Sequence, residues 1–404
     1  MKYDDLMELK KSICSNYINS YEKNGFIKIK PLPLDDKKDI TLDFTTCTIC
    51  NAKENIKKKC LGYDYVMIQP ALRNTHMNVL ARKKDDDFFF SYFSMMGGFK
   101  YYDDIKNEEY EFSKVIKSEY DFLKQYGEVI VLTIPTQYER YLRISTKIMD
   151  YLVQNGCKIK FSDCDEKNLK WKYGIGGVEG YGTRWEISNG GDLVNWGNTI
   201  NVLVDGIPFG IDFGGGVESL IYANLKLKNS IYASDAMTDS VNEFCSDNSL
   251  NEKIVDCIVS SMCIISNKEK IILRDKYVLN SYMTILKSLM VINDVSFNKI
   301  MSIVENINMQ NKWCLSNPFV VDEFEKHFAE IDKKYNVLLE SRNIDKVLRI
   351  FDLFYDENDI NWKKNKNVVK SHYSKYINNL PDVELLALKK SNNKKIEKRI
   401  RYDN

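Results

Sequence analysis

The chain has 404 residues, 44% of them hydrophobic and 28% charged, with a formal net charge of +1. That length holds two or three domains with a sizeable core, and the balanced charge argues against a protein that coats nucleic acid through overall basicity. No apolar run approaches the roughly 18 to 20 residues of a membrane span, the N-terminus lacks a signal-peptide core, and the ten cysteines are scattered singly, so reduced thiols and a cytoplasmic location are expected.

The first segment, Tyr3 to Asn24, carries Leu6, Leu9, Ile13, Tyr17 and Ile18 at helical spacing and is stopped by Gly25. FIKIKPLPL then reads as an extended piece. Two strand-like runs, YDYVMIQPAL and FFFSYFSMMGGF, flank a polar loop and predict an antiparallel hairpin. Helices are expected over Glu108 to Tyr126 and Gln137 to Asn155, with the strand EVIVLTIP between them.

Residues Gly174 to Glu218 are rich in glycine and predict short strands, such as Thr199 to Val204, alternating with turns. The spacing fits neither a P-loop nor a dinucleotide fingerprint. Beyond Asp235 the pattern is helical, which puts a domain boundary near 230–240. Lysines and arginines crowd the segment from Lys363 to Arg401, either as a phosphate-binding tail or as a solvated helix face. Cys47-x-x-Cys50 with Cys60 lacks a fourth ligand at zinc spacing, so ordinary thiols and no structural zinc are expected.

Several stretches, in order, resemble the alanyl-tRNA synthetase family over roughly residues 1 to 350. DITLDFTTCTICNAKENI is similar to its first block, QPALRN and SYFSMMGGF to motif 2, and FGIDFGGGVESLIY to motif 3. GYGTRWEI, ISNKEKIILRDKYVL and DEFEKHFAEIDKKYNVLLE match further family blocks. The resemblance implies an α+β fold, a class II synthetase-type antiparallel sheet flanked by helices, over residues 1–235. An all-helical domain like the family's tRNA-recognition region would follow over 236–404.

It also implies ATP with Mg²⁺ and a small amino acid, alanine first, then glycine or serine, as the species bound. Arg73 is the catalytic candidate, because a guanidinium stabilises the charge that builds on phosphorus during adenylation. Arg73, Arg82, Phe99, Arg184 and Glu218 are the ATP and Mg²⁺ candidates, Glu218 competing with a plain salt-bridge role. Met95, Trp171, Asn198, Ile200, Asp212 and Gly214 are the amino-acid candidates. Among them Asp212 would take the substrate amine and Gly214 would admit the backbone. Asn267 aligns with a tRNA acceptor-stem reader, and Asp359 lies near where a second reader is expected.

The departures bear on function. Motif 3 ends in Glu218-Ser219 where the family has Glu-Arg, with Arg184, Arg82 and Lys83 as substitutes for the lost cation. Position 94 is Ser for Glu, and position 76 is His for Asp. Asn280, Ser281 and Lys287 replace most of a basic helix face, which weakens expected tRNA contacts. The three histidines, His76, His327 and His372, are too dispersed for the family's editing site. The expected activity is formation of an aminoacyl-adenylate, with transfer to tRNA or to a small non-tRNA acceptor. The alternative is an inactive paralogue that binds tRNA or a protein.

Overall fold

The computed structural model describes residues 2–34, 44–73, 80, 90–133, 146–161, 170–189, 192–246, 249–266, 273–310 and 319–341. The chain divides into two compact units, residues 1–72 with 93–234, and residues 73–92 with 235–404. Residues 73–92 thus group with the later part of the chain, whereas the sequence pattern places the whole hairpin in the first domain.

The first unit is mixed α+β. Its nine strands among the described residues are β1 Ile27–Lys28, β2 Tyr65–Leu72, β3 Tyr92–Tyr101, β4 Val129–Thr133, β5 Lys158–Phe161, β6 Lys170–Lys172, β7 Val178–Asn189, β8 Asp192–Val204 and β9 Ile207–Gly216. They form one sheet in the order β1-β2-β3-β9-β8-β7-β4-β5, with β6 added against β7. The ladders joining β3, β9, β8, β7 and β4 are antiparallel, while β1–β2 and β4–β5 run parallel.

The glycine-rich stretch departs from its expected form. Instead of short strands and turns it makes three long strands, of 12, 13 and 10 residues. Glycine reads as a breaker in an isolated sequence, but a strand tolerates it where another backbone comes close.

Helices α1 Tyr3–Glu22, α2 Lys53–Lys58, α3 Glu108–Leu123, α4 Thr146–Gln154 and α5 Val217–Leu225 complete this unit. Residues 137–145 of the expected helix Gln137 to Asn155 lie outside the described residues. One core joins α1, α3, α4 and α5 to Met96, Trp185, Trp196, Ile211 and Phe213 of the sheet. Tyr21 stacks on Phe213 with centroids 4.6 Å apart. A second core lies over Phe99, Tyr101, Ile200, Val202 and Val204, and is closed by Ile49, Ala52 and Ile56.

The second unit contains α6 Asp239–Ser246, α7 Ser249–Ser266, α8 Leu273–Asn293, α9 Phe297–Gln310 and α10 Val320–Ser341. Its core includes Ile254, Ile258, Met262, Leu279, Leu286 and Phe324. Asp256 is fully buried there. It accepts from the Ser91 backbone at 3.0 Å and from the Ser91 hydroxyl at 2.7 Å, which ties Ser91 to α7. Among the described residues, no helix is long and apolar enough to cross a membrane.

A buried carboxyl sits between α1 and α3. Glu119 accepts from Tyr17 at 2.8 Å and also from Tyr21, and burial pushes it up to about 7 against the opposing pull of those hydrogen bonds. An acid raised in the native state keeps a proton that the unfolded chain has lost. Its contribution to stability is therefore full below pH 4.5 and is lost as pH rises toward 7. Glu119→Gln removes this titration. Urea unfolding of the first unit, followed by tryptophan fluorescence, is expected to show the variant gaining on the order of 3 kcal/mol over wild type between pH 4.5 and 8.

Candidate functional site

One face of the sheet is paved with glycine. The ladders set Gly97 of β3 beside Gly214 of β9, Gly214 beside Asn198 of β8, and Asn198 beside Arg184 of β7. The adjacent row runs Phe99, Asp212, Ile200 and Gly182. Residues paired across a ladder share a face, as do residues two apart along a strand, so all eight belong to one surface.

The glycines have no room for side chains. A Cβ would come 2.3 Å from the Phe213 carbonyl oxygen at Gly97, 2.1 Å from that of Met96 at Gly214, and 2.0 Å from that of Thr199 at Gly182. Gly214 also has a φ of +134°, which an L side chain rarely adopts. The result is a floor of bare backbone in the middle of a sheet.

Asp212 stands at the edge of this floor. The Tyr173 hydroxyl donates to its Oδ2 at 3.3 Å. Burial, then the nearby Cys47, raise its pKa well above the usual carboxylate range, and the Tyr173 hydrogen bond offsets only part of this. Gly180 makes the arrangement possible. Its missing Cβ would lie 2.4 Å from Ile200 Cγ2 and 2.9 Å from the Tyr173 hydroxyl, so both side chains occupy space that any other residue would take. Trp171 lies opposite Gly180 across the β6–β7 ladder and packs, like Tyr173, on the second core.

Two buried polar atoms lie beside the glycine floor without a hydrogen-bond partner among the described residues. They are Asn198 Oδ1 and Thr48 Oγ1. Thr48 Oγ1 is 2.9 Å from where a Gly97 Cβ would sit. Leaving such an atom unsatisfied costs about 1–3 kcal/mol, which a bound donor or acceptor would recover.

The other expected residues fall partly on this face and partly elsewhere. Met95 pairs with Gly216, two residues from the Gly97–Gly214 pair, so it shares the glycine face, where it is partly buried. Phe99 is fully buried, edge-on to Tyr101 at 4.8 Å, so its ring is core rather than a nucleotide platform. Glu218, at the start of α5, accepts from Lys10 Nζ at 2.7 Å on one oxygen and from the Ser94 backbone at 2.8 Å on the other. Both oxygens are engaged within the protein, as the salt-bridge role of Glu218 has it.

Arg73 falls in the second unit, where its backbone N–H donates to Ser91 at 2.9 Å. Arg82, His76, Lys83, Asn267, Asp359 and the basic tail lie outside the described residues. Lys287 pairs with Asp332 at 2.5 Å, and the Ser281 hydroxyl donates to the Tyr277 carbonyl at 2.9 Å. Both are engaged within the helical unit.

Sequence reasoning missed Tyr173 and Thr48. Tyr173 could have been found from alternation, since it lies two residues beyond Trp171. Thr48 sits in the quoted block DITLDFTTCTICNAKENI, but an isolated threonine gives no sign that its hydroxyl is buried.

No family model and no curated protein matches the chain. Among solved structures, it is similar to the crystal structure of the RNA binding domain of threonyl-tRNA synthetase from Cryptosporidium parvum Iowa II. The identity is 11% and the TM-score 0.34, over 56% of this chain and 67% of that one. A likeness that faint defines neither the fold nor the function.

The floor can be probed directly. Gly214→Ala is expected to destabilise the first unit by at least about 2 kcal/mol in urea unfolding, through both backbone strain and overpacking. Gly176→Ala, with nothing within 4 Å of its added methyl, is expected to change stability by less than about 0.5 kcal/mol.

Proposed function

We propose that the glycine-paved face binds a small amino acid and activates its carboxylate with ATP, giving an aminoacyl-adenylate and pyrophosphate. The observation that carries this reading is the placement of Asp212, Asn198 and Arg184 around a floor without side chains. An ammonium group needs acceptors, and Asp212 together with Asn198 Oδ1 supplies them. A carboxylate or phosphate needs a cation, and Arg184 lies two strands away, about 10 Å across the sheet. A zwitterion fits between these opposite charges.

In this reading a carboxylate oxygen of the amino acid attacks the α-phosphorus, the bond to the bridging oxygen breaks, and pyrophosphate leaves with the electron pair. The guanidinium of Arg184 offsets the charge that develops, in place of the motif 3 arginine that Ser219 does not supply. Trp171 and Ile200 limit the side chain to a small one, a discrimination of about 1 to 3 kcal/mol per methylene. Any Mg²⁺ would come with the ATP phosphates. The roles of Arg73, Arg82 and Asn267, and the choice between tRNA and a small acceptor, rest on the family resemblance alone.

A second reading, an inactive module that binds tRNA or a protein, is favoured by the commitment of Glu218 to Lys10 and Ser94. ATP–pyrophosphate exchange with a panel of amino acids separates the two. Exchange stimulated by alanine, glycine or serine is expected, and its absence from folded protein, with and without tRNA, supports the binding module.

Asp212 gives a sharper check. Because its pKa is raised, a growing share of it is protonated as pH falls, and the neutral acid holds an ammonium poorly. Amino-acid affinity by calorimetry is expected to strengthen from pH 5 through neutrality. Asp212→Ala is expected to abolish that binding, and Asp212→Asn to leave any residue of it independent of pH.

A further inference from the structure

Cys47 and Cys50 bracket the start of a 3-10 turn, Thr48–Asn51, and their sulfurs lie 3.7 Å apart. Both are present as reduced thiols. Sulfurs at that separation are in van der Waals contact, and a disulfide brings them to about 2.05 Å. This is feasible where the α-carbons are about 4.4–6.8 Å apart, the spacing of residues three apart in one turn. Cys47 is partly exposed, whereas Cys50 is 7% exposed, so an oxidant meets the first sulfur and the second lies behind it. Cys60 is exposed and donates instead to Asn55 Oδ1 at 3.7 Å. The pair therefore stands apart from the third thiol of the run.

The turn that carries this pair also forms one wall of the glycine floor. Thr48 Oγ1 lies against Gly97, the Thr48 carbonyl accepts from Tyr65 at 2.9 Å, and Cys47 is an electrostatic neighbour of Asp212 and Tyr173. Closing that gap by more than 1 Å turns both cysteine side chains and pulls on the short turn between them, and Thr48 is one of the two residues in that stretch.

We propose that Cys47 and Cys50 form a reversible dithiol–disulfide switch that adjusts the Asp212 site. The link to amino-acid binding rests on the function proposed above. The oxidant is a low-molecular-weight disulfide such as oxidised glutathione. The Cys47 thiolate attacks it, forming a mixed disulfide and releasing one glutathione thiol. The Cys50 thiolate then attacks Cys47 Sγ and releases the second. Two electrons pass to the oxidant, and the two protons end on the glutathione thiols.

The test equilibrates the full chain in graded ratios of reduced to oxidised glutathione, traps remaining thiols with N-ethylmaleimide, and maps the peptides. Cys47 and Cys50 are expected to lose alkylation together and to be found joined to each other. Cys60 should stay unbridged, and dithiothreitol should restore both thiols. Alkylation of Cys47 and Cys50 at unrelated potentials, or a glutathione adduct that persists on Cys47 without bridging, would overturn the switch. So would protection of both thiols by added Zn²⁺ with no bridge formed.

Coupling to the site is read in two ways. Oxidised protein is expected to need roughly tenfold more amino acid for half-maximal exchange, the effect of one displaced hydrogen bond. Cys50→Ser is expected to show no such response to the oxidant. Hydrogen exchange over residues 44–51 and 95–101 is expected to slow on bridging, a readout that needs no activity. If the bridge forms while both readouts stay unchanged, the regulatory link is wrong. If reduced protein shows no exchange activity at all, the function proposed above fails, while peptide mapping and hydrogen exchange still decide the switch.

Discussion

The close approach of backbones across β3, β9 and β8 is the constraint on which the first unit depends. Phe213, Met96 and Thr199 present carbonyl oxygens where side chains at Gly97, Gly214 and Gly182 would project. Glycine in a strand gives up roughly 0.5–1 kcal/mol relative to alanine, so these positions are not the cheapest way to build a sheet. They leave a stretch of buried backbone without side chains, flanked by a carboxylate, an amide and a guanidinium. The two faces of the sheet thereby take different work: one buries aromatic rings against helices, the other sets the glycine floor beside its own smaller core.

Polar groups inside this unit are only partly satisfied on either face. On the helix side several find partners far away in sequence, while Glu119 Oε2, Thr133 Oγ1 and Trp196 Nε1 have none among the described residues. Glu119 takes both tyrosine hydroxyls of α1, Asn201 donates to Glu108 at 3.1 Å, and the Trp185 indole donates to Thr199 at 2.9 Å. On the glycine side Asn198 Oδ1 and Thr48 Oγ1 are left over.

The α+β character and the alternation of helix and strand were legible because periodicity survives in the apolar positions of α1 and in β2, β3 and β4. Strand length was not. Glycine is both the residue of turns and the residue of tight strand packing, and only the partner strand distinguishes them. Asp212 drew attention because a carboxylate between Ile211 and Phe213 needs an explanation, but the group that holds it, Tyr173, reads as one more aromatic. Phe99 was drawn to ATP by its place in a family motif, whereas its ring belongs to the core. Glu218 illustrates a different limit: its partner Lys10 is 208 residues away, and no local pattern announces such a pairing.

That distance has a consequence for how the protein is made. The apolar face of α1 closes against α3, β9 and α5, and Lys10 finds Glu218 only at the far end of this unit. At roughly 5 to 20 residues per second, the ribosome exposes the first helix about 10 to 40 s before its last partner emerges. During that interval Ile13, Tyr17 and Tyr21 are uncovered on a nascent chain, with nothing yet synthesised to bury them fully. The first helix is thus made well before the surface that covers it.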